Sequence, residues 1–254
     1  MKRLSRATAA SMLGLAHVMS PMTNLQAAEL KILAGGSMTG SLNELGPQFE
    51  RASGHKLTIH FDSTPNLIKQ VTSGAPFDLV VAPVDVFKDA AAKARFAPSP
   101  TIDIARVGYG VIVRSGAPKP DVSTPDALKA TLLNAPSITF VPESAAGAYV
   151  LKTFDRLGIT EAMKAKTKPQ TAPAQIAPAV AKGEADLGVF LVNVLIAPGV
   201  ELAGPFPAEL QQELVFTSAV AADSKEADAA TAFITFLTTP AAAAVIKAKG
   251  MIPG

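Results

Sequence analysis

Short apolar runs alternate with longer segments whose apolar residues recur every three or four positions. Leu30 to Ala34 is a compact run that predicts a strand, and Leu42, Leu45 and Phe49 then recur at helical spacing until Gly54 closes the helix. Leu57, Ile59 and Phe61 alternate with polar residues as a second strand. Leu67, Ile68 and Val71 mark a helix ending at Gly74, and Asp78 to Ala82 is a third, fully apolar strand. This β-α-β-α-β rhythm implies a mainly parallel sheet covered on both faces.

Further along, Tyr109 to Val113 predicts a strand leading into the turn-rich Gly116-Ala117-Pro118-Lys119-Pro120. A helix over Ala127 to Leu133, a strand over Ile138 to Val141 and a helix from Tyr149 to Leu157 closed by Gly158 follow. A helix over Gln175 to Ala181, closed by Gly183, and a strand over Leu187 to Leu191 complete a second α/β unit. The tail returns to the first pattern. Leu214 to Ala221 reads as a strand, and Ala229, Phe233, Phe236 and Leu237 share one helix face. Thr239 and Pro240 form a cap and first position for a last helix ending at Gly250. The expected fold is therefore α/β and two-lobed, with mixed, mainly parallel sheets, helices on both faces and a ligand cleft between the lobes. Residues 29–106 and 215–254 form one lobe and 107–214 the other.

The 254-residue length is enough for two lobes with real cores, and apolar residues make up 48% of it. Residues 1–28 read as a secretory signal peptide: Lys2, Arg3 and Arg6 precede an apolar stretch from Ala7 to Met19, and small residues stand at Ala27 and Ala28. A cut after Ala27 places Leu25 at the minus-three position, and one after Ala28 places Gln26 there. Removing the segment leaves 20 basic against 21 acidic residues, a net charge of −1 in place of +2. A nucleic-acid partner is not expected from so balanced a chain. There is no cysteine, so no disulfide, thiolate nucleophile or lipidated cysteine is available. With only His55 and His60 beyond the leader, a His/Cys metal site is not expected, and neither is a cofactor.

Three loops between a strand and a helix attract attention. In Gly35-Gly36-Ser37-Met38-Thr39-Gly40, glycines let a ligand approach the main chain, and Ser37 is placed to be the N-cap. Uncapped first-turn amides and the helix dipole favour an anion there; a plain cap is the alternative. In Ser63-Thr64-Pro65, proline fits the first helical position and makes Thr64 the cap. In Glu143-Ser144-Ala145-Ala146-Gly147-Ala148-Tyr149, small residues leave amides uncovered, so Ser144, Ala146 or Gly147 can face a ligand; a tight packed turn explains the same residues. No G-x-S-x-G elbow or Walker loop is present. Glu184 and Asp186 read as a solvated turn, Arg106 as a surface ion pair, and His55 and His60 as surface residues.

These segments resemble the periplasmic molybdate-binding protein family, type II solute-binding proteins of ABC transporters. Ile32-Leu33-Ala34-Gly35-Gly36-Ser37-Met38 is similar to its first ligand loop, and Phe61-Asp62-Ser63-Thr64 to its second. Gln70-Val71-Thr72-Ser73-Gly74-Ala75-Pro76-Phe77-Asp78, Gly183-Glu184-Ala185-Asp186-Leu187-Gly188 and Lys247 to Met251 resemble later family elements. The resemblance implies a monomeric, periplasmic protein that binds a small anion between its lobes and delivers it to an ABC permease. It places Ser37 and Thr64 where the family uses hydroxyls on its oxyanion and Ala146 where it uses a main-chain amide; with the loop residues around them, the expected ligand contacts are Gly36, Ser37, Met38, Ser63, Thr64, Ser144, Ala146, Gly147 and Asn193. The family's tyrosine and its following Asp-Ala are missing from Gly188-Val189-Phe190-Leu191-Val192-Asn193-Val194, leaving a more apolar wall in which Asn193 is the nearby side-chain donor. An organic anion then competes with molybdate as ligand. So does an enzyme reading, since some similar proteins are aconitate isomerases that move a proton within a tricarboxylate, with Asp62, His60 or Glu143 as the base.

Overall fold

The computed structural model describes residues 27–254; the expected leader lies outside this range apart from its last two residues. The elements run β1 (Glu29–Gly35), α1 (Thr39–Ser53), β2 (Lys56–Asp62), α2 (Thr64–Thr72), β3 (Leu79–Pro83), α3 (Val84–Lys88), α4 (Ala90–Lys93) and β4 (Ile102–Val107). Next come β5 (Tyr109–Arg114), α5 (Pro125–Asn134), β6 (Ile138–Phe140), α6 (Ala145–Arg156), α7 (Thr160–Lys166), β7 (Thr167–Pro169), α8 (Ile176–Ala181), β8 (Leu187–Leu191), α9 (Val192–Leu195) and β9 (Val200–Pro205). The chain closes with β10 (Leu214–Val220), α10 (Ala227–Leu237), α11 (Pro240–Ala248) and β11 (Ile252–Pro253).

The strands form two sheets. One has the order β11-β4-β10-β3-β1-β2, the other β7-β6-β8-β5-β9. In the first, β1 pairs in parallel with β2 and β3, while β10 runs antiparallel to β3 and β4. In the second, β6 is parallel to β7 and β8, and β5 is antiparallel to β8 and β9. The chain passes between sheets twice, at Val107–Tyr109 and between β9 and β10.

Alternation along β1 explains why the first sheet is covered on both faces. Leu30, Ile32 and Ala34 pack with Leu42, Leu45 and Phe49 of α1 and Phe233 of α10; Leu33 faces the other way, against the cluster of Leu67, Val71, Phe77 and Phe87. Truncating such a fully buried leucine to alanine costs about 2–5 kcal/mol. Phe49 also meets the rings of Phe233 and Phe236 at centroid distances of 4.9 and 5.5 Å.

His55 departs from the sequence expectation of a surface role. It is 5% exposed, its ring stacks on Phe49, and its Nδ1 accepts a hydrogen bond from the Ala28 N–H at 3.1 Å. The crossing between sheets is braced by Gln211. Its Oε1 accepts from the Tyr109 N–H (2.8 Å) and its Nε2 donates to the Tyr109 carbonyl (2.9 Å). Gly108 lies against the same side chain, where a Cβ would stand 3.0 Å from the Gln211 amide.

Candidate functional site

β1 ends where Gly36–Met38 wind into a 3₁₀ turn that runs straight into α1. The cap position is therefore Gly35, in extended conformation, and not Ser37 as the sequence suggests. The shift of the cap has a local cause: the extra turn starts the helix before Ser37, and Thr39 Oγ1 secures it by donating to the Gly36 carbonyl at 2.7 Å. Ser37 sits inside the turn, 9% exposed, with its hydroxyl not employed as a cap. First-turn amides such as those of Ser37 and Met38 have no intrahelical acceptor.

The second loop shifts by one residue in the same sense. Ser63 is the cap of α2 and Thr64 the first helical residue, because Asp62 already holds the turn. Asp62 Oδ1 accepts from the Ser63 N–H (2.7 Å) and from Asn66 Nδ2 (2.9 Å). Its Oδ2 accepts from Gln70 Nε2 (2.9 Å) and lies 3.5 Å from His60 Nε2. Partial burial works to raise the Asp62 pKa, but the hydrogen bonds from Asn66, Ser63 and His60 outweigh it and hold the group below its ordinary value. A carboxylate so engaged straps the loop and is a weakened base.

In the third loop Ser144 is the cap of α6. Its Oγ accepts from the Gly147 N–H (2.9 Å) and donates to the Val141 carbonyl (2.8 Å). Gly147 is required there by packing: a Cβ would stand 1.9 Å from the Val141 carbonyl oxygen. The Ala145 N–H donates to Thr64 Oγ1 at 3.3 Å, a bond between the loops of the two sheets. With Ala145 and Gly147 engaged, Ala146 offers the remaining amide of that first turn.

The three loops meet. Gly36, Ser37, Asp62, Ser63 and Thr64 line one side of a hollow, and Val141, Ser144, Ala146 and Phe190 line the other; Pro83, Pro173, Leu214 and Phe216 complete it. Six of the nine sequence-predicted contacts are therefore brought together. Three are not in the lining. Met38 is fully buried in the core, and the Gly147 amide is used by the cap. Asn193 donates from Nδ2 to the Ser37 carbonyl at 2.7 Å and holds the first loop to the second sheet's side. Glu143 is exposed and His60 lies out on β2, so neither lines the hollow. Among the described lining residues Asp62 is the one ionisable group.

The hollow is narrow, about 20 Å³, which is room for about one water. Three contacts draw its walls together: Ala145 to Thr64, Asn193 to Ser37, and Pro173 against Gly36, where a Cβ would stand 3.2 Å from the proline ring. A larger depression of about 430 Å³ lies beside Arg114, Asn134 and Asp186, but the first turn of no helix lines it.

Two sheets of this topology, with helix starts facing one another across a hollow, match a known family. The family model described as bacterial extracellular solute-binding protein fits residues 30–252. The chain belongs to this family. Among relatives, an aconitate isomerase from Pseudomonas sp is 31% identical over 253 residues, covering 95% of each chain. The molybdate-binding protein ModA of Azotobacter vinelandii is 28% identical, covering 89% of this chain and 90% of the relative. The solved periplasmic molybdate-binding protein of the same organism superposes with a TM-score of 0.75 at 21% identity, covering 89% of this chain and 99% of the other, and so shares the fold.

Sequence reasoning did not find the apolar walls supplied by Pro83, Val141, Pro173, Leu214 and Phe216. They come from four separate segments, Leu214 and Phe216 sharing β10, and only Pro83, at the end of β3, and Val141, just after β6, carried a positional signal. Phe190 was visible as an apolar substitution at the end of its strand.

Proposed function

We propose that the chain is an exported solute-binding protein that closes on a small anion and presents it to an ABC permease. Residues 29–106 with 215–254 act as one lobe and 107–214 as the other. The observation that carries this reading is the convergence of three helix starts from both sheets on one hollow. Neutral donors predominate there, namely the Ser37, Ser63 and Thr64 hydroxyls and the first-turn amides. Each hydrogen bond to a charged partner contributes about 1.5–3 kcal/mol, so a few such donors suffice without a lysine or arginine. Phe190, Leu214, Phe216 and the prolines suit a ligand with an apolar body, so an organic carboxylate fits the walls better than a bare oxyanion. Because the hollow holds about one water, the lobes part to admit any such ligand and reclose by hinge motion.

A thermal-shift panel of molybdate, tungstate, sulfate, phosphate, simple carboxylates and tricarboxylates tests the reading, since a ligand of the native state raises its apparent stability. Stabilisation by at least one anion is expected, with carboxylates foremost; no shift by any member refutes anion capture.

The 31% identical isomerase, matched over almost its whole length, favours a second reading: proton transfer within aconitate. Asp62 is then the one carboxylate in the lining of the hollow, and its engagement with the Ser63, Asn66 and Gln70 donors argues against it as base. Incubation with cis- or trans-aconitate, followed by chromatography of the isomers, separates the two. Interconversion that scales with protein concentration establishes the enzyme; its absence at high protein concentration leaves the binding reading.

A further inference from the structure

At the start of the fold an exposed residue adjoins a buried one. Ala28 is 7% exposed and belongs to the core cluster of the first sheet, whereas Ala27 is exposed. The Ala28 carbonyl accepts from the Lys56 N–H at 2.8 Å, beginning the pairing of β1 with β2. On its other side the Ala28 nitrogen donates to Nδ1 of buried His55 at 3.1 Å, and His55 is itself fixed by Phe49 and by the Ser53 hydroxyl, which accepts from its N–H at 3.2 Å. Beside this contact opens a recess of about 350 Å³ lined by Ala28, His55, Lys225, Glu226, Asp228 and small residues of α10. A buried imidazole acceptor at the Ala28 nitrogen, and a recess lined by two carboxylates against one lysine, suit a cation just before the first paired residue of β1, Glu29.

We propose that the exported chain is cut between Ala27 and Ala28, and that the new Ala28 ammonium docks on His55 within this recess. The inference rests on the export reading above. Water adds across the Ala27–Ala28 amide: its hydroxyl goes to the Ala27 carbonyl carbon, giving a carboxylic acid that ionises, and its hydrogen to the Ala28 nitrogen. That amine, with an ordinary pKa of about 8, takes a solvent proton at neutral pH. An ammonium N–H replaces the amide N–H as donor to His55 Nδ1, and a charge-assisted hydrogen bond is the stronger of the two. Cutting one residue later instead removes the buried Ala28 side chain and leaves the Lys56 N–H without its acceptor. That cut also places polar Gln26 at the minus-three position, where the favoured cut places apolar Leu25.

The test uses the full chain expressed in a bacterial host, fractionated, with the mature start read by intact mass and N-terminal sequencing. A periplasmic product beginning at Ala28 is expected. A periplasmic product beginning at any other residue overturns the inference while leaving export intact; an uncut chain retained in the cytoplasm overturns both. Docking is then read on the mature protein by labelling its α-amine at neutral pH with an amine-reactive ester and quantifying the N-terminal peptide by mass spectrometry. Labelling about tenfold slower in the folded protein than in denaturant is expected from a seated, hydrogen-bonded amine. In His55→Phe, checked for folding by circular dichroism, the rate should return toward that of the unfolded chain. Equal rates in folded and denatured wild-type protein overturn the docking without recourse to the variant.

Discussion

Gly36→Ala separates closure of the lobes from stability of the fold. Gly36 does not occupy the left-handed region that disfavours alanine, so the backbone accepts the change. The added Cβ would stand 3.2 and 3.3 Å from Cδ and Cγ of Pro173, and 3.7 Å from the Asp62 carbonyl oxygen, which is ordinary contact. The crowding is thus with a ring on the opposite side of the hollow, and a few tenths of an ångström of retreat relieve it. Overpacking by one methyl costs about 1–3 kcal/mol. The low end applies, because Pro173 lies in a partly exposed 3₁₀ turn. About 1 kcal/mol against the closed form alone raises the apparent Kd about fivefold. With the lobes parted, as the proposed hinge motion requires of the ligand-free protein, the contact is not felt, so the ligand-free melting temperature should stay within about 2 °C of wild type, less than 1 kcal/mol shifts a domain of this size. Calorimetry with the anion giving the largest thermal shift, and scattering with and without it, read the two quantities. Unchanged affinity would show that ligand capture does not bring Gly36 against Pro173. A large fall in melting temperature with unchanged affinity would make Gly36 a packing residue of the fold.

Three further outcomes are expected. Ser37→Ala should weaken binding of the same anion about tenfold or more, one hydrogen bond to a charged group, with unchanged circular dichroism; unaltered calorimetric affinity would remove Ser37 from the site. Ser144→Ala loses the bond from the Gly147 N–H and should cost about 1 kcal/mol, or about 2–4 °C in melting temperature. Asp62 contributes stability that is fully present above its ordinary value of 3.8 and is lost as pH falls below it through the lowered folded value. Melting curves across acid pH should therefore flatten in Asp62→Asn, and a profile that runs parallel to wild type would show that the loop strap contributes nothing.

The compact run Leu30–Ala34, the alternation in Leu57–Phe61 and the helical spacing of Leu42, Leu45 and Phe49 were enough to determine the α/β class and a first sheet covered on both faces, because hydrophobic patterning is a local property of each element. Gly54 and Gly250, both at positive φ, and the Thr239–Pro240 start of α11 were legible for the same reason. The loops after β1, β2 and β6 could be singled out by their small and hydroxylated residues. The exact caps could not: Ser37 and Thr64 each lie one or two places inside the helix because the 3₁₀ turn and the Asp62 strap begin the winding earlier. Burial of His55, the Asn193 link to Ser37, and the meeting of Pro173 with Gly36 join residues 27, 156 and 137 positions apart. Such pairings arise when two sheets and their crossings are assembled in three dimensions, and no local pattern along the chain encodes them.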